Sequence, residues 1–316
     1  MKKYTTAHFA KRQRGVALLV ALLVVALAAV LIAGLLDRGE LTAARTRNEL
    51  RSAQAQAYAQ GLEAYAARVL QQDSDNGNTD TADDIWSVPM PPTPVPGGEI
   101  TATMTDLDGR FNLNNLSPNF TQHLDWQNKF VLLLHALKLD PNLAGVVADW
   151  MSQTPGSGTG DSFYAGQPVP YRAAKNTFFH VSELRLLKGV SGDVYAQLAP
   201  HVCALPPGTK INVNTATVPV LMTLDANVTQ QMAQALWQDG HARYASIIDV
   251  ISAVPELQHL AQDPSNFYGV TSSYFLARGQ ITLDGLPLIF LSVLDRVSTG
   301  PDAGIHVIQR SRGADG

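Results

Sequence analysis

One cysteine, Cys203, stands in 316 residues. A lone thiol forms no intramolecular disulfide, so cysteine usage leaves the redox compartment open, and Cys203 reads as a small buried hydrophobe. Catalytic signatures are missing as well. The eight histidines are scattered, and neither H-E-x-x-H nor G-x-S-x-G occurs. The glycines of "SQTPGSGTG" (152–160) are not followed by Gly-Lys-Ser/Thr, which excludes a phosphate loop. Positive charge is scarce beyond the start of the chain. Lys2, Lys3, Lys11, Arg12 and Arg14 take five of the 23 basic residues, which leaves 18 against 27 acidic ones and a net charge near −9. A body that acidic lacks the footprint needed to grip phosphate backbones. These absences point to a protein that is not an enzyme and does not bind nucleic acid.

What is present begins with "KRQRGVALLV" (11–20), where a basic run passes through one glycine into an apolar stretch. Val16 to Leu36 holds 21 residues without a charged or polar side chain, enough as a helix to cross the hydrocarbon core of a bilayer. The basic flank upstream puts the N-terminus in the cytoplasm and the rest beyond the membrane. Three fates fit the residues: an uncut anchor, a signal peptide cut after Ala28, and a cut after Gly15 that keeps the helix. From Asp37 to about Gln72 the chain is rich in helix formers and free of proline, so one helix is expected from 16 to about 72.

Residues 73–98, "DSDNGNTDTADDIWSVPMPPTPVPGG", read as an ordered loop anchored by Trp86. Its acidic start matches an EF-hand poorly, because Gly77 comes one place early and no glutamate falls at the twelfth position. A solvated acidic turn is the expectation. Strand-like alternation follows at Ile100, Ala102 and Met104, and the C-terminus carries β-rich runs on both sides of Asp284-Gly285, a hairpin signal, with a further strand at 304–310. Between them, 117–270 reads as helical, with two weakly similar helical hairpins, "FFHVSELRLLKGVSGDVYAQLAPHV" and "INVNTATVPVLMTLDANVTQQMAQAL". The second resembles helix-hairpin-helix DNA-binding modules. Its turn, Asp225 to Val228, lacks their glycines and places a carboxylate where phosphate would sit. Asn212, Asn214 and Thr215 read as turn and cap residues.

"RQRG" followed by "VALLVALLVVALAAV" is similar to the class III leader of type IV pilins and pseudopilins. Together with "DGRFNLNNL", "SELRLLKGV", "INVNTA" and "LSVLDR", it resembles the minor pseudopilin family of type II secretion called general secretion pathway protein K. The resemblance implies an α+β pilin-like fold: a long N-terminal helix on a small antiparallel sheet, with a large inserted α-helical domain. It implies a leader over 1–15, a transmembrane part over 16–36, pilin-like parts over 37–116 and 271–316, and the insertion over 117–270 with two helix-hairpin-helix-like units. Prepilin peptidase would cut between Gly15 and Val16, with the new terminus methylated. Most such proteins carry a glutamate at the fifth mature position, here Val20. A carboxylate in lipid is tolerable only beside a preceding subunit's terminal ammonium, so Val20 suits a first subunit with no predecessor.

The implied partners are minor pseudopilins of the I and J types, the major pseudopilin, prepilin peptidase and the inner-membrane assembly platform. The secreted substrate or the outer-membrane channel would lie within reach of a periplasmic head. No cofactor is required. Calcium is implied after the "DW" pair, where Asp149 and Asp161 are the candidate ligands and Met151, Ser152 and Gln153 replace acidic character. The alternatives are a minor pilin of a type IV or competence pilus, or a membrane-anchored helix-hairpin-helix DNA-binding protein.

Overall fold

The computed structural model describes residues 13–77, 79–153, 160–262 and 267–313. It divides into two compact units, Met1–Ala57 and Tyr58–Gly316. Helix α1, Gln13–Asn76, begins in the first and ends in the second, a few residues beyond the expected stop. In the first unit, every side chain from Val16 to Leu36 is exposed, and this stretch meets the length and hydropathy of a membrane span. Among the described residues nothing buries it, so lipid or other helices must cover it.

In the second unit, the sheet runs in the order β1 (Met90–Val95), β2 (Gly98–Asp106), β7 (Tyr274–Leu283), β8 (Leu286–Val297), β9 (Gly304–Arg312), with every pair antiparallel. Asp284 and Gly285 turn the β7–β8 hairpin, both at positive φ as a tight primed turn requires. The end of α1 lies on one face, where Ala66 and Leu70 meet Trp86, Phe275, Ala277 and Leu294. Gly279 allows the close approach, since a Cβ there would stand 2.7 Å from Leu62 Cδ1. Glu63 adds polar ties by accepting hydrogen bonds from Ser292 Oγ at 2.6 Å and Arg310 Nε at 2.7 Å.

The stretch expected to be one loop contains a strand. Met90–Val95 carries Pro91, Pro92 and Pro94 and still pairs with β2. It lies at the sheet edge with a bulge between Met90 and Thr93, the two settings where a missing N–H is tolerated. Trp86 does anchor the segment, edge-on to Phe275 at 5.3 Å between centroids.

Between β2 and β7 lies the helical region: α2 (His123–Ala136), α3 (Leu143–Met151), α4 (Gly160–Ala165), α5 (Gly192–Leu198), α6 (Val218–Leu221), α7 (Gln230–Trp237) and α8 (Ile247–Ala253). Two short parallel pairs frame it. β3 (Phe111–Asn112) pairs with β4 (Val202–Cys203), and β5 (Ile211–Asn212) pairs with β6 (Tyr268–Gly269).

"FNLNN" and "INVNT" open these two segments in the same way. Asn112 and Asn212 accept the N–H of Asn114 and Asn214 at 3.1 and 3.0 Å. Asn114 then clasps the backbone of Phe178, donating at 3.0 Å and accepting at 2.7 Å. Asn214 clasps Tyr244 likewise, at 3.1 and 2.8 Å. The repeat in the structure is therefore strand, helices, clasped backbone and returning strand, over 111–203 and 211–269. It is longer than the hairpin pair read from sequence, because the matching contacts span tens of residues.

Candidate functional site

Gly15 and Val16 lie in α1 close to its start, and the leader residues 1–12 fall outside the described residues. Val20 is exposed on the apolar helix, with no carboxylate anywhere between Val16 and Leu36. Gly34 has open space where a Cβ would project, which lets another backbone come close.

A second concentration of chemistry went unread in the sequence. The acidic stretch expected to be a solvated turn is exposed at Asp75, Gly77, Ala82 and Asp83, but it carries Asp80 and Thr81 into the interior, with Asp73 and Asp84 half-buried. Asp80 is 2% exposed, and Asp73, Asp80 and Asp84 bring carboxylate oxygens within 4.8 Å of one another. Among the described residues, this is the only such group of three with metal-ligand spacing. Arg296, from β8, occupies it as the counter-charge. It donates to both Asp80 oxygens at 2.5 Å, to Asp73 at 3.2 Å and to the Ser272 carbonyl at 2.6 Å, and its guanidinium stacks over Phe275.

Beside it, Asp106 accepts from Ser272 Oγ at 2.7 Å and from Thr215 Oγ1, while Asp108 accepts from the Ser273 N–H at 2.8 Å. Asn212, fully buried, donates to Ser272 Oγ at 2.7 Å and to the Asp80 carbonyl at 3.0 Å. Thus Asn212 caps a local turn as expected and Thr215 Oγ1 reaches back to the Asn212 carbonyl, while the Asn214 side chain bonds Tyr244 instead of a local turn; Asn212 and Thr215 also fasten the helical region to the sheet.

Charges this enclosed pay for burial. Burial, then repulsion from Asp80 and Asp84, pushes the Asp73 carboxyl up to about 6. Burial pushes Asp106 to about 6, against its hydrogen bonds, and drives Asp108 well up, with Asp106 adding to it. One Asp108 oxygen is buried without a hydrogen-bond partner. The signal that could have found this group was the acidic density of 73–84 set against a single arginine in "LDRV".

The two calcium candidates stand apart from it. Asp149 is half-buried on α3, with burial raising its carboxyl, and Asp161 is exposed at the start of α4, in an ion pair with Lys175 at 3.0 Å. The segment between them, 154–159, lies outside the described residues. Calcium takes six to eight oxygens, and two carboxylates, one already held by a lysine, do not complete such a set. At the "DANV" turn, the Asn227 N–H is taken at 2.9 Å by Asp225's own carboxylate, which leaves that donor no free line to a phosphate.

Known proteins resemble the chain in sequence and fold. A protein-family model described as type II secretion system (T2SS), protein K, matches residues 109–207, the span of the first repeat. Type II secretion system protein K of Pseudomonas aeruginosa is 34% identical, over 96% of this chain and 94% of its own. The chain belongs to the type II secretion system protein K family. Protein K of Pectobacterium carotovorum is likewise 34% identical, over 85% of this chain and 88% of its own. The crystal structure of the GspK–GspI–GspJ complex from enterotoxigenic Escherichia coli matches with a TM-score of 0.73 at 25% identity, covering 86% of this chain and all of that one. As a protein K, the chain is a minor pseudopilin of type II secretion, with an α+β pilin-like fold whose long apolar N-terminal helix fits a single-pass membrane anchor.

Proposed function

We propose that this protein K is the tip subunit of the pseudopilus and works by assembly, without catalysis. Its helix is released from the leader between Gly15 and Val16 by prepilin peptidase and methylated at the new terminus. The N-terminus faces the cytoplasm and the head lies in the periplasm, following the basic flank. The observation that carries the reading is the unbroken apolar run from Val16 to Leu36 with Val20 uncharged. A subunit that is laid down first meets no preceding ammonium, and a carboxylate at that depth would cost a few kcal/mol.

The GspK–GspI–GspJ likeness supports counterparts of I and J as neighbours, packed helix to helix through Ala17, Ala21 and Gly34. The major pseudopilin and the assembly platform follow below, and the exported protein or the outer-membrane channel lies ahead. A weak calcium site using Asp149 and Asp161, completed by backbone and water oxygens, belongs to the same proposal, supported by their closeness in sequence on α3 and α4.

The test is the intact mass and N-terminal sequence of the protein from membranes, with and without active prepilin peptidase. A peptidase-dependent start at Val16 is expected, and a start at Ala29 or an intact Met1 refutes the processing. For the tip, Val20→Glu should lower co-purification with the I and J counterparts, and undiminished recovery refutes the placement.

A further inference from the structure

A groove runs between the sheet face turned away from α1 and the segment that leads through the turn Val181–Leu186 into α5. It encloses about 260 Å³, and its floor is apolar, made of Leu276, Leu291 and Val293. The chain carries 27 acidic residues, yet no carboxylate lines this groove, while Arg110, Arg278 and His180 do. Arg110 is half-buried, and among the described residues its guanidinium makes no hydrogen bond or ion pair. Arg296, the enclosed guanidinium on the other side of the sheet, is bound to Asp73, Asp80 and the Ser272 carbonyl, so Arg110 differs from it in having its donors open.

The rim is preformed. Phe179 holds its ring 70% exposed, while its N–H donates to Glu183 at 2.7 Å and its carbonyl accepts from Gln309 at 3.3 Å. An aromatic fixed in water by bonds on both sides of its backbone behaves as an anchor rather than a loose side chain. Gln309 and Ser311, also lining the groove, belong to β9, the edge strand whose outer backbone groups are unpaired in the sheet.

We infer that this groove binds an extended polypeptide segment that places a carboxylate on Arg110 beside an apolar side chain on the Leu276–Leu291–Val293 floor. Charge selects the occupant: the open Arg110 guanidinium, in a lining that holds no carboxylate, favours an acidic segment and disfavours a basic one. Size selects it again, because the volume takes one large side chain with its neighbours and falls short of an ordinary small-molecule cavity. The inference goes beyond tip assembly and does not depend on it.

The experiment uses the full chain in lipid nanodiscs, without other subunits, titrated against two fluorescent tetrapeptides, N-acetyl-Leu-Phe-Glu-Leu-amide and its Gln counterpart. Fluorescence anisotropy should show the Glu peptide binding about tenfold tighter, the scale of one charge-assisted contact. Arg110→Gln removes a side chain that holds nothing else together, so it should equalise the two peptides and leave the melting temperature unchanged. Thr105→Trp, on an exposed strand position at the groove, should block both peptides. Equal binding of the two peptides to the wild type, a charge preference that survives in Arg110→Gln, or no saturable binding would overturn the inference. None of these results would touch the processing or tip readings, which are measured on other properties.

Discussion

Replacing Arg296 by methionine isolates what the buried charge cluster is worth. The arginine is 9% exposed and serves both oxygens of Asp80, one of Asp73, Ser74 Oγ and the Ser272 carbonyl. Methionine keeps the apolar stem against Phe275 and removes every one of those donors. Asp80 then keeps only the Ser272 N–H at 2.7 Å, and three carboxylates face one another with no cation. Removing one partner of a buried pair costs about 3–5 kcal/mol, chiefly through the charge left behind. For a unit of this size that is a fall in melting temperature of about 8–15 °C.

Thermal unfolding at pH about 7.5, followed by the fluorescence of Trp86 and its neighbours, reads it directly. The orphaned carboxyls relieve their repulsion by binding protons, so the deficit should shrink toward pH about 5. Adding Asp80→Asn to the variant should restore about 1–2 kcal/mol, the sign of direct coupling. A fall below about 3 °C, or a double variant no better than the single one, refutes the claim that Arg296 neutralises this cluster.

The other predictions follow from the same region. Asp73 and Asp106, with folded values about 6, bind protons that the unfolded chain releases until nearer 4, so their effect on stability increases as pH falls from about 6 to about 4 and disappears above 6; the wild type should melt higher at pH about 5 than at 7.5. Asn114→Ala and Asn214→Ala each strand the clasped backbone of Phe178 or Tyr244, at about 2–4 kcal/mol, with faster amide exchange at the matching residue as the readout. Gly109→Ala would press a Cβ to within 2.6–2.8 Å of Thr215 Oγ1, O and C, and should cost about 1–3 kcal/mol in urea unfolding.

Local physics wrote part of this protein plainly. Val16 to Leu36 can be nothing but a buried or membrane helix, since no side chain in it prefers water. Asp284-Gly285 names its turn because both positions need positive φ, and the alternation on either side names the strands. β1 was hidden because its prolines contradict strand propensity, and only an edge position with a bulge excuses them.

The charge cluster was hidden for a different reason. Asp73, Asp80, Asp106, Ser272 and Arg296 come from places up to 223 residues apart in the chain, and an aspartate reads as solvated until its partner is known. Asn212 was legible as a cap, because bonding a nearby N–H is a local act; the grip of Asn114 on Phe178 and of Asn214 on Tyr244 was not. Sequence alone therefore determined the anchor, the helix and the hairpin, where each residue's preference is settled by its neighbours. Tertiary structure alone decided which acidic side chains are enclosed and what neutralises them, because burial is a property of the packed chain and not of the residue.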